Sequence, residues 1–476
     1  MELLQSFVAF SNDILWSYIL IVMLIGLGIY FTFSTNLVQF KMIKEMIRLM
    51  GDGIGKGSSQ QGVSSFQAFC IGTAARVGTG NLAGVAIAIA AGGPGAVFWM
   101  WLIALIGSAS AFVESTLAQI YKIKDGEGFR GGPAYYMEKA LGQRWMGVLF
   151  AVLITLCFGL VFNSVQANTI SLAFAEAFGV NQLVIGIVLA VVTAFIIFGG
   201  IKRIAVVSEW MVPIMAGGYI LLALYIMLTN FTAIPGVIVL IVKSAFGLEE
   251  AIGGTMGAAM MMGIKRGLFS NEAGMGSAPN AAATAVVSHP VKQGLIQALG
   301  VFVDTLLVCS ATAFIVLLSS AYVPGGELTG INLLQAALSS HIGEWASGLV
   351  AFAVLLFAFS SIVGNYYYGE TNIDFIKNSK VWLTVYRLAV VGMVLFGSVQ
   401  KIGLVWDLAD LFMALMAITN LIAIALLGSV AKAALKHYIE QRKQGKDPQF
   451  FANSIPGLKN VECWAVEPSS KKQKKA

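Results

Sequence analysis

The sequence predicts an all-α polytopic membrane protein with eleven transmembrane helices: one extra N-terminal helix, then a 5+5 inverted-repeat core whose first and sixth core helices are unwound. Three observations carry this. Of the 476 residues, 58% are hydrophobic and only 11% charged, with a mean hydropathy of +0.81, whereas soluble domains carry about 25% charged residues. The apolar runs reach the roughly 20 residues of a spanning helix and are too continuous for the alternating strands of an outer-membrane barrel, so in lipid they must close their backbone hydrogen bonds as helices. Finally, the chain matches itself at an offset of 190 residues. A soluble protein is excluded, and the net charge of +6 speaks for membrane topology rather than nucleic-acid binding.

Windows of about 19 residues place the extra helix near 14–34. Ten more follow near 64–90, 95–121, 145–172, 183–200, 204–229, 252–286, 293–319, 346–375, 381–399 and 405–432, and 233–249 reads as a surface helix. The organisation expected is an N-terminal helix and cytoplasmic loop (1–62), a first five-helix repeat (63–230), an extracellular surface segment (231–251), a second repeat (252–432) and a polar cytoplasmic tail (433–476). The first residues lack the basic stretch and cleavage site of a signal peptide, so the first apolar run is expected to be retained as a helix. Eleven spans put the termini on opposite sides. Of the 30 Lys and Arg, 24 fall in one set of loops and the tail, and only Lys243 and Lys401 in the other, so the N-terminus is expected outside and the C-terminus in the cytoplasm. The tail, ending Ser-Ser-Lys-Lys-Gln-Lys-Lys-Ala, reads as solvated or touching lipid headgroups. Cys70, Cys157, Cys309 and Cys463 show no metal or disulfide spacing.

At the 190-residue offset, Arg76-Val-Gly-Thr-Gly-Asn81-Leu-Ala-Gly84 lies over Arg266-Gly-Leu-Phe-Ser-Asn271-Glu-Ala-Gly274. Phe112-Val-Glu114-Ser115 likewise lies over Phe302-Val-Asp304-Thr305. Five spans per repeat is an odd number, so the second repeat starts from the other membrane face, the inverted pattern of many secondary transporters. The matching segments are Gly-rich interruptions of apolar helices, where glycine weakens the helix and permits unusual backbone angles. A break at mid-membrane frees amide N–H groups for a carboxylate and carbonyls for a cation, which a zwitterionic amino acid with sodium would satisfy. Close helix packing explains Gly92-Gly-Pro-Gly95 and Gly217-Gly218, but does not require the Arg and Asn that both breaks carry.

Arg76, Lys265, Arg266, Glu114, Glu272, Asp304 and Glu370 lie in or at the ends of spans, where an unpaired charge costs at least about 2.5–3.5 kcal/mol. Repeat symmetry suggests intramembrane ion pairs in which Arg76 and Arg266 find Asp304 and Glu114, or Glu272 takes one of them. In the third core helix Asn163 and Gln166 share a face at i, i+3, and Gln166 is expected at the cavity, with Asn168 bonding between helices. In the eighth, the adjacent hydroxyls of Ser360 and Ser361 would suit an all-oxygen sodium shell.

At these residues the chain resembles the alanine or glycine:cation symporter family, sodium:amino-acid symporters of the leucine-transporter-type fold. The resemblance rests on Ala75-Arg-Val-Gly-Thr-Gly-Asn-Leu-Ala-Gly-Val85, Gly92-Gly-Pro-Gly-Ala-Val-Phe-Trp-Met-Trp101, Glu114-Ser-Thr-Leu-Ala-Gln-Ile-Tyr121, Gly131-Gly-Pro-Ala-Tyr-Tyr136, Phe269-Ser-Asn-Glu-Ala-Gly-Met-Gly-Ser277 and Phe359-Ser-Ser. It implies that the amides of Gly78, Thr79 and Gly80, beside Asn81, hold a substrate carboxylate. Phe269 would cover the substrate, with Ser270, Asn271 and Gly274 in the second break, and Gln166 would face it. The resemblance further implies a sodium site from the carbonyls of Ala74, Val77 and Phe357 and the hydroxyls of Ser360 and Ser361. Where many members have Gly-Trp after the hydroxyl pair, this chain has Gly364-Asn365, which opens space and adds a donor and an acceptor.

The function so implied is sodium-coupled import of a small neutral amino acid by alternating access, alanine or glycine, with D-alanine or serine as further candidates. A sodium-coupled glutamine transporter, or a proton-coupled or sodium-independent one of the same fold, is the alternative. The expected partners are the amino acid, sodium as coupling ion and membrane lipid in the cell (inner) membrane. No cofactor, nucleic acid or obligate protein partner is expected. Nor is an enzyme: His289, His341 and His437 fall in loops or tail without HExxH, GxSxG or Walker motifs.

Overall fold

A computed structural model describes residues 2–53, 63–126, 128–248 and 255–466. The first repeat window opens with α1 (Gln5–Ser34) before it and α2 (Ile43–Gly53) leading in, then α3 (Ser65–Arg76), α4 (Gly80–Gly92), α5 (Gly95–Ile120), the hairpin β1 (Ile123–Asp125) and β2 (Gly128–Arg130), α6 (Pro133–Lys139), α7 (Arg144–Phe178), α8 (Gln182–Ile197), α9 (Gly200–Thr229) and α10 (Ile234–Ala245). The remainder holds α11 (Met256–Asn271), α12 (Ala278–Ala282), α13 (Pro290–Leu317), α14 (Gly330–Ile342), α15 (Ala346–Ile376), α16 (Lys380–Val399) and α17 (Ile402–Lys443). Eight of the described helices are long and apolar enough to cross a membrane, nine when α3 and α4, bent by 51° at their junction, are taken as one span. The protein is therefore a multi-pass membrane protein. Windows 183–200 and 252–286 hold shorter elements: the 16-residue α8, and α11 followed by α12 across a second interruption.

Local chemistry sets these boundaries. Ser64 begins α3 with a reciprocal cap, its hydroxyl accepting from Gln67 N–H while Gln67 Oε1 accepts from Ser64 N–H, both at 3.1 Å. His289 caps α13, its Nδ1 accepting from Val291 N–H at 3.2 Å. The helices loosen into wide turns at Gly80–Gly84, Thr155–Phe162 and Val303–Cys309, a feature frequent at functional sites.

Packing pairs the two halves. α5 lies against α11 and α13, α7 against α15 and α16, and α8 against α16. The third-core-helix polar cluster serves partly this purpose: Asn168 Nδ2 donates to the carbonyls of Gly397 and Gln400 on and after α16, at 2.9 and 2.7 Å. The segment read as a surface helix, α10, seats Ser244 against the start of α5, where Ser244 Oγ accepts from Gly95 N–H at 3.1 Å.

The tail departs from its solvated expectation. α17 runs to Lys443, and the chain beyond it folds back on the protein. Phe450 N–H donates to Ser288 O at 2.9 Å and Trp464 Nε1 to Gln119 O at 3.1 Å. The Phe450 and Trp464 rings meet at 5.1 Å. The polar composition hid these two aromatics, which supply the apolar surface that holds the strap down. The Lys-rich end, 469–476, lies outside the described residues.

Candidate functional site

α3 stops at Arg76 because Val77 turns to φ −80°, ψ 88°, and Gly78 and Thr79 carry the chain into α4. Only glycine fits at 78: an added Cβ would sit 2.2 Å from Ser361 Oγ and 3.0 Å from Gln166 Oε1. Two of the three amides expected to hold a carboxylate, those of Gly78 and Thr79, face oxygen acceptors of the protein itself. Gly78 N–H donates to Asn81 Oδ1 at 3.0 Å and Thr79 N–H to Gln166 Oε1 at 3.1 Å. The second interruption begins at Glu272, whose φ of 57° is uncommon for a residue with a Cβ, and continues through Gly274 (φ 83°) and Gly276 (φ 87°).

The two breaks meet. A Cβ on Gly80 would lie 2.8 Å from Phe269 Cδ1 and 3.2 Å from Ser270 Cα. Asp304 joins them, its Oδ1 accepting from Asn81 Nδ2 at 2.7 Å and its Oδ2 from Ser270 Oγ at 2.8 Å and Thr305 Oγ1 at 2.9 Å. Asn271 Nδ2 donates to Thr305 Oγ1 at 3.3 Å, and its Oδ1 accepts from Ala273 N–H. Phe269 is packed between Phe162 and Trp406 in tilted contact, with ring centroids at 4.5 and 4.7 Å. Asn81, Gln166, Phe269, Ser270, Asn271 and Asn365 are all buried, so the site is closed to both sides.

Beside the first break, Ser361 Oγ lies 2.9 Å from Ala74 O and 3.1 Å from Phe357 O, and Ser360 Oγ 2.8 Å from Phe357 O. Four of the five oxygens expected to bind sodium thus lie in one group, and the fifth, Val77 O, precedes the glycine that touches Ser361. This donor set of neutral carbonyls and hydroxyls suits a hard monovalent cation. One turn beyond Ser361, Asn365 is fully buried, and neither its Oδ1 nor its Nδ2 has a partner among the described residues. A buried amide left in that condition costs stability, which marks it as a candidate for ligand contact.

Arg266 pairs otherwise than symmetry suggested. Arg266 forms its ion pair with Asp410 of α17, joined by Lys265 Nζ at 3.3 Å. Arg76, buried, donates from Nη1 to Gln297 O at 3.3 Å, and its Nε and Nη2 have no hydrogen-bond partner among the described residues. The three carboxylates accept from neutral groups instead: Glu114 from Gly274 N–H at 3.1 Å and Asn420 Nδ2 at 2.7 Å, Glu272 from Ser277 Oγ at 2.5 Å, and Asp304 as above. Asp410, Asn420 and Trp406 went unnoticed in the sequence, although Asp410 is an acid within a predicted span and so carried the usual signal.

Interrupted helices meeting at a buried polar site, within a bundle of apolar spans, define a membrane transporter rather than an enzyme. The chain belongs to the sodium:alanine symporter family, whose model matches residues 1–452. It is 60% identical over 465 residues to the probable sodium/glutamine symporter GlnT of Bacillus subtilis (strain 168), covering 98% of this chain and 97% of that protein. It is 37% identical over 440 residues to the sodium/alanine symporter AgcS of Methanococcus maripaludis, covering 91% and 96%. Among solved structures, a manganese transporter of Eremococcus coleocola superposes with a TM-score of 0.51 at 12% identity, over 81% of this chain and 88% of that one. That likeness is one of fold alone.

Proposed function

We propose that the protein imports a small neutral amino acid together with sodium by alternating access, through eleven spans arranged as one extra helix and two inverted five-helix repeats. The N-terminus lies outside and the C-terminus in the cytoplasm. The observation that carries this is the grouping of Ser360 and Ser361 with Ala74 O and Phe357 O directly against Gly78. A cation held there draws the first break into the shape that presents the Thr79 amide, so ion and substrate favour one conformation and are linked. The substrate carboxylate takes the place of Gln166 Oε1 at Thr79 N–H, Phe269 covers the side chain, and Asp304 fixes Asn81 and Ser270 between the two breaks. Release follows when the carriers of the two breaks rock to open the other face.

Alanine and glycine are the first substrates proposed. A glutamine transporter is the second reading, favoured by the buried amide of Asn365, which has no partner among the described residues and can pair donor to acceptor with a carboxamide side chain, and by the likeness to the probable sodium/glutamine symporter GlnT. Uptake of labelled alanine and glutamine into proteoliposomes, with and without an inward sodium gradient, tests both readings. Equal uptake in the two conditions defeats sodium coupling, and the ratio of the two substrates decides between them.

A further inference from the structure

α17 contacts the second break at two points, just before it and within it. Before the break, Asp410 takes the guanidinium of Arg266, and Trp406, one turn earlier, lies over that guanidinium at 4.5 Å and against the Phe269 ring at 4.7 Å. Within the break, Asn420 Nδ2 donates to Gly274 O at 2.9 Å and to Glu114 Oε2 at 2.7 Å, while Glu114 Oε1 accepts from Gly274 N–H at 3.1 Å. Both backbone groups of Gly274 are thereby fixed, and its φ of 83° leaves a conformation that little else would hold. Asp410 and Asn420 are ten residues apart, about 15 Å along a straight helix, so one rigid element bridges the interruption.

We infer that α17 is a splint across the second break, and that Asp410 and Asn420 are positioning residues that set the substrate-covering Phe269 through Arg266 and Gly274. Fold stability alone does not account for the arrangement. Asp410 Oδ1 and Arg266 Nε and Nη1 are buried without hydrogen-bond partners among the described residues, and a half-satisfied buried ion pair is generally less stable than apolar residues packed in its place. A fixed geometry at the break is what these contacts supply. The role in transport rests on the sodium-coupled uptake proposed above; the splint itself does not.

Hydrogen–deuterium exchange and uptake by the full-length protein test the two parts separately. In Asn420→Ala, peptides covering 268–282 should exchange about tenfold faster, with those of 100–112 unchanged. The same variant should raise the KM for alanine or glutamine by about tenfold, with its sodium dependence kept. Asp410→Asn should do the same and Asp410→Glu should restore both; if Asp410→Asn does not fold, Asn420→Ala carries the test. Unchanged exchange in folded Asn420→Ala overturns the splint, and faster exchange with unchanged KM overturns the positioning role. Absence of uptake by the unaltered protein would instead refute the transport reading, with the exchange result still deciding the splint.

Discussion

Gln166 Oε1 accepts the Thr79 N–H at 3.1 Å, so a side-chain oxygen from the third core helix occupies the amide that the substrate carboxylate is proposed to use. A neutral oxygen there can be displaced by a carboxylate, because a charged acceptor makes a bond about twice as strong. A permanently charged one cannot be displaced by its equal. Gln166→Glu should therefore lower alanine uptake by at least about tenfold, with the protein folded. Gln166→Ala should leave uptake measurable with a changed KM. Uptake by Gln166→Glu at the level of the unaltered protein would sink the displacement step.

How much of this was legible depended on how local each signal is. The breaks could be found because glycine, asparagine and arginine recur at one offset in otherwise apolar text, and the hydroxyls of Ser360 and Ser361 stood out for the same reason. The partner of Arg266 could not be found that way. Asp410 is 144 residues distant, and its equivalent in the first repeat, Ile220, is uncharged, so the repeat symmetry that guided the pairing does not contain it. Carboxylate satisfaction was hidden too: Glu114 binds a backbone N–H and an amide, which no charge pattern displays. The tail misled because its composition is polar while its apolar anchors are Phe450 and Trp464, and its polar contacts, such as Lys292 with Asp447 and Lys139 with Glu462, join residues far apart in the sequence.

Ser361 Oγ is shared between Ala74 O and Phe357 O, so it is the hydroxyl that joins α15 to the first break. Ser361→Ala removes one of five oxygens from a shell that sodium needs nearly complete. The sodium concentration for half-maximal uptake should rise about tenfold or more, with Ser360→Ala additive in the same direction. Sodium dependence identical to that of the unaltered protein in the double variant would place the coupling ion elsewhere.

Asn365 presents a carboxamide in a fully buried position with no partner among the described residues. Asn365→Leu keeps much of the volume and removes the unsatisfied polar atoms, so the substrate-free protein should gain about 1–3 kcal/mol, read as a higher melting temperature. The same change should weaken competition by glutamine more than by alanine. Asn365→Trp should narrow competition to the smallest substrates by filling the space. Unaltered competition by glutamine and serine in both variants would remove Asn365 from the substrate site.

The docked tail carries a pH dependence of its own. His289 Nδ1 accepts from Val291 N–H and its Nε2 lies 3.1 Å from His437 Nδ1, with Phe450 of the tail edge-on to the His289 ring. Burial first, then His437 and Lys292, hold the His289 pKa down from 6.5 to about 2. Tyr438 packs on the same ring and donates its hydroxyl to Glu45 Oε1, and the Glu45 carboxylate is already paired with Arg48 and Arg442. A released tail takes Phe450 off the ring and exposes His289 further, so His289 binds a proton more readily than in the docked state. Docking is therefore at full strength above pH 6.5 and weakens as pH falls below it, by up to about 1.4 kcal/mol per pH unit. Limited proteolysis between Gly445 and Trp464 should be several-fold faster at pH 5.5 than at pH 7.5. His289→Asn keeps a good helix-capping acceptor without a titrating ring, and should flatten that difference. An equal acceleration in His289→Asn would show that the proton acts at another group.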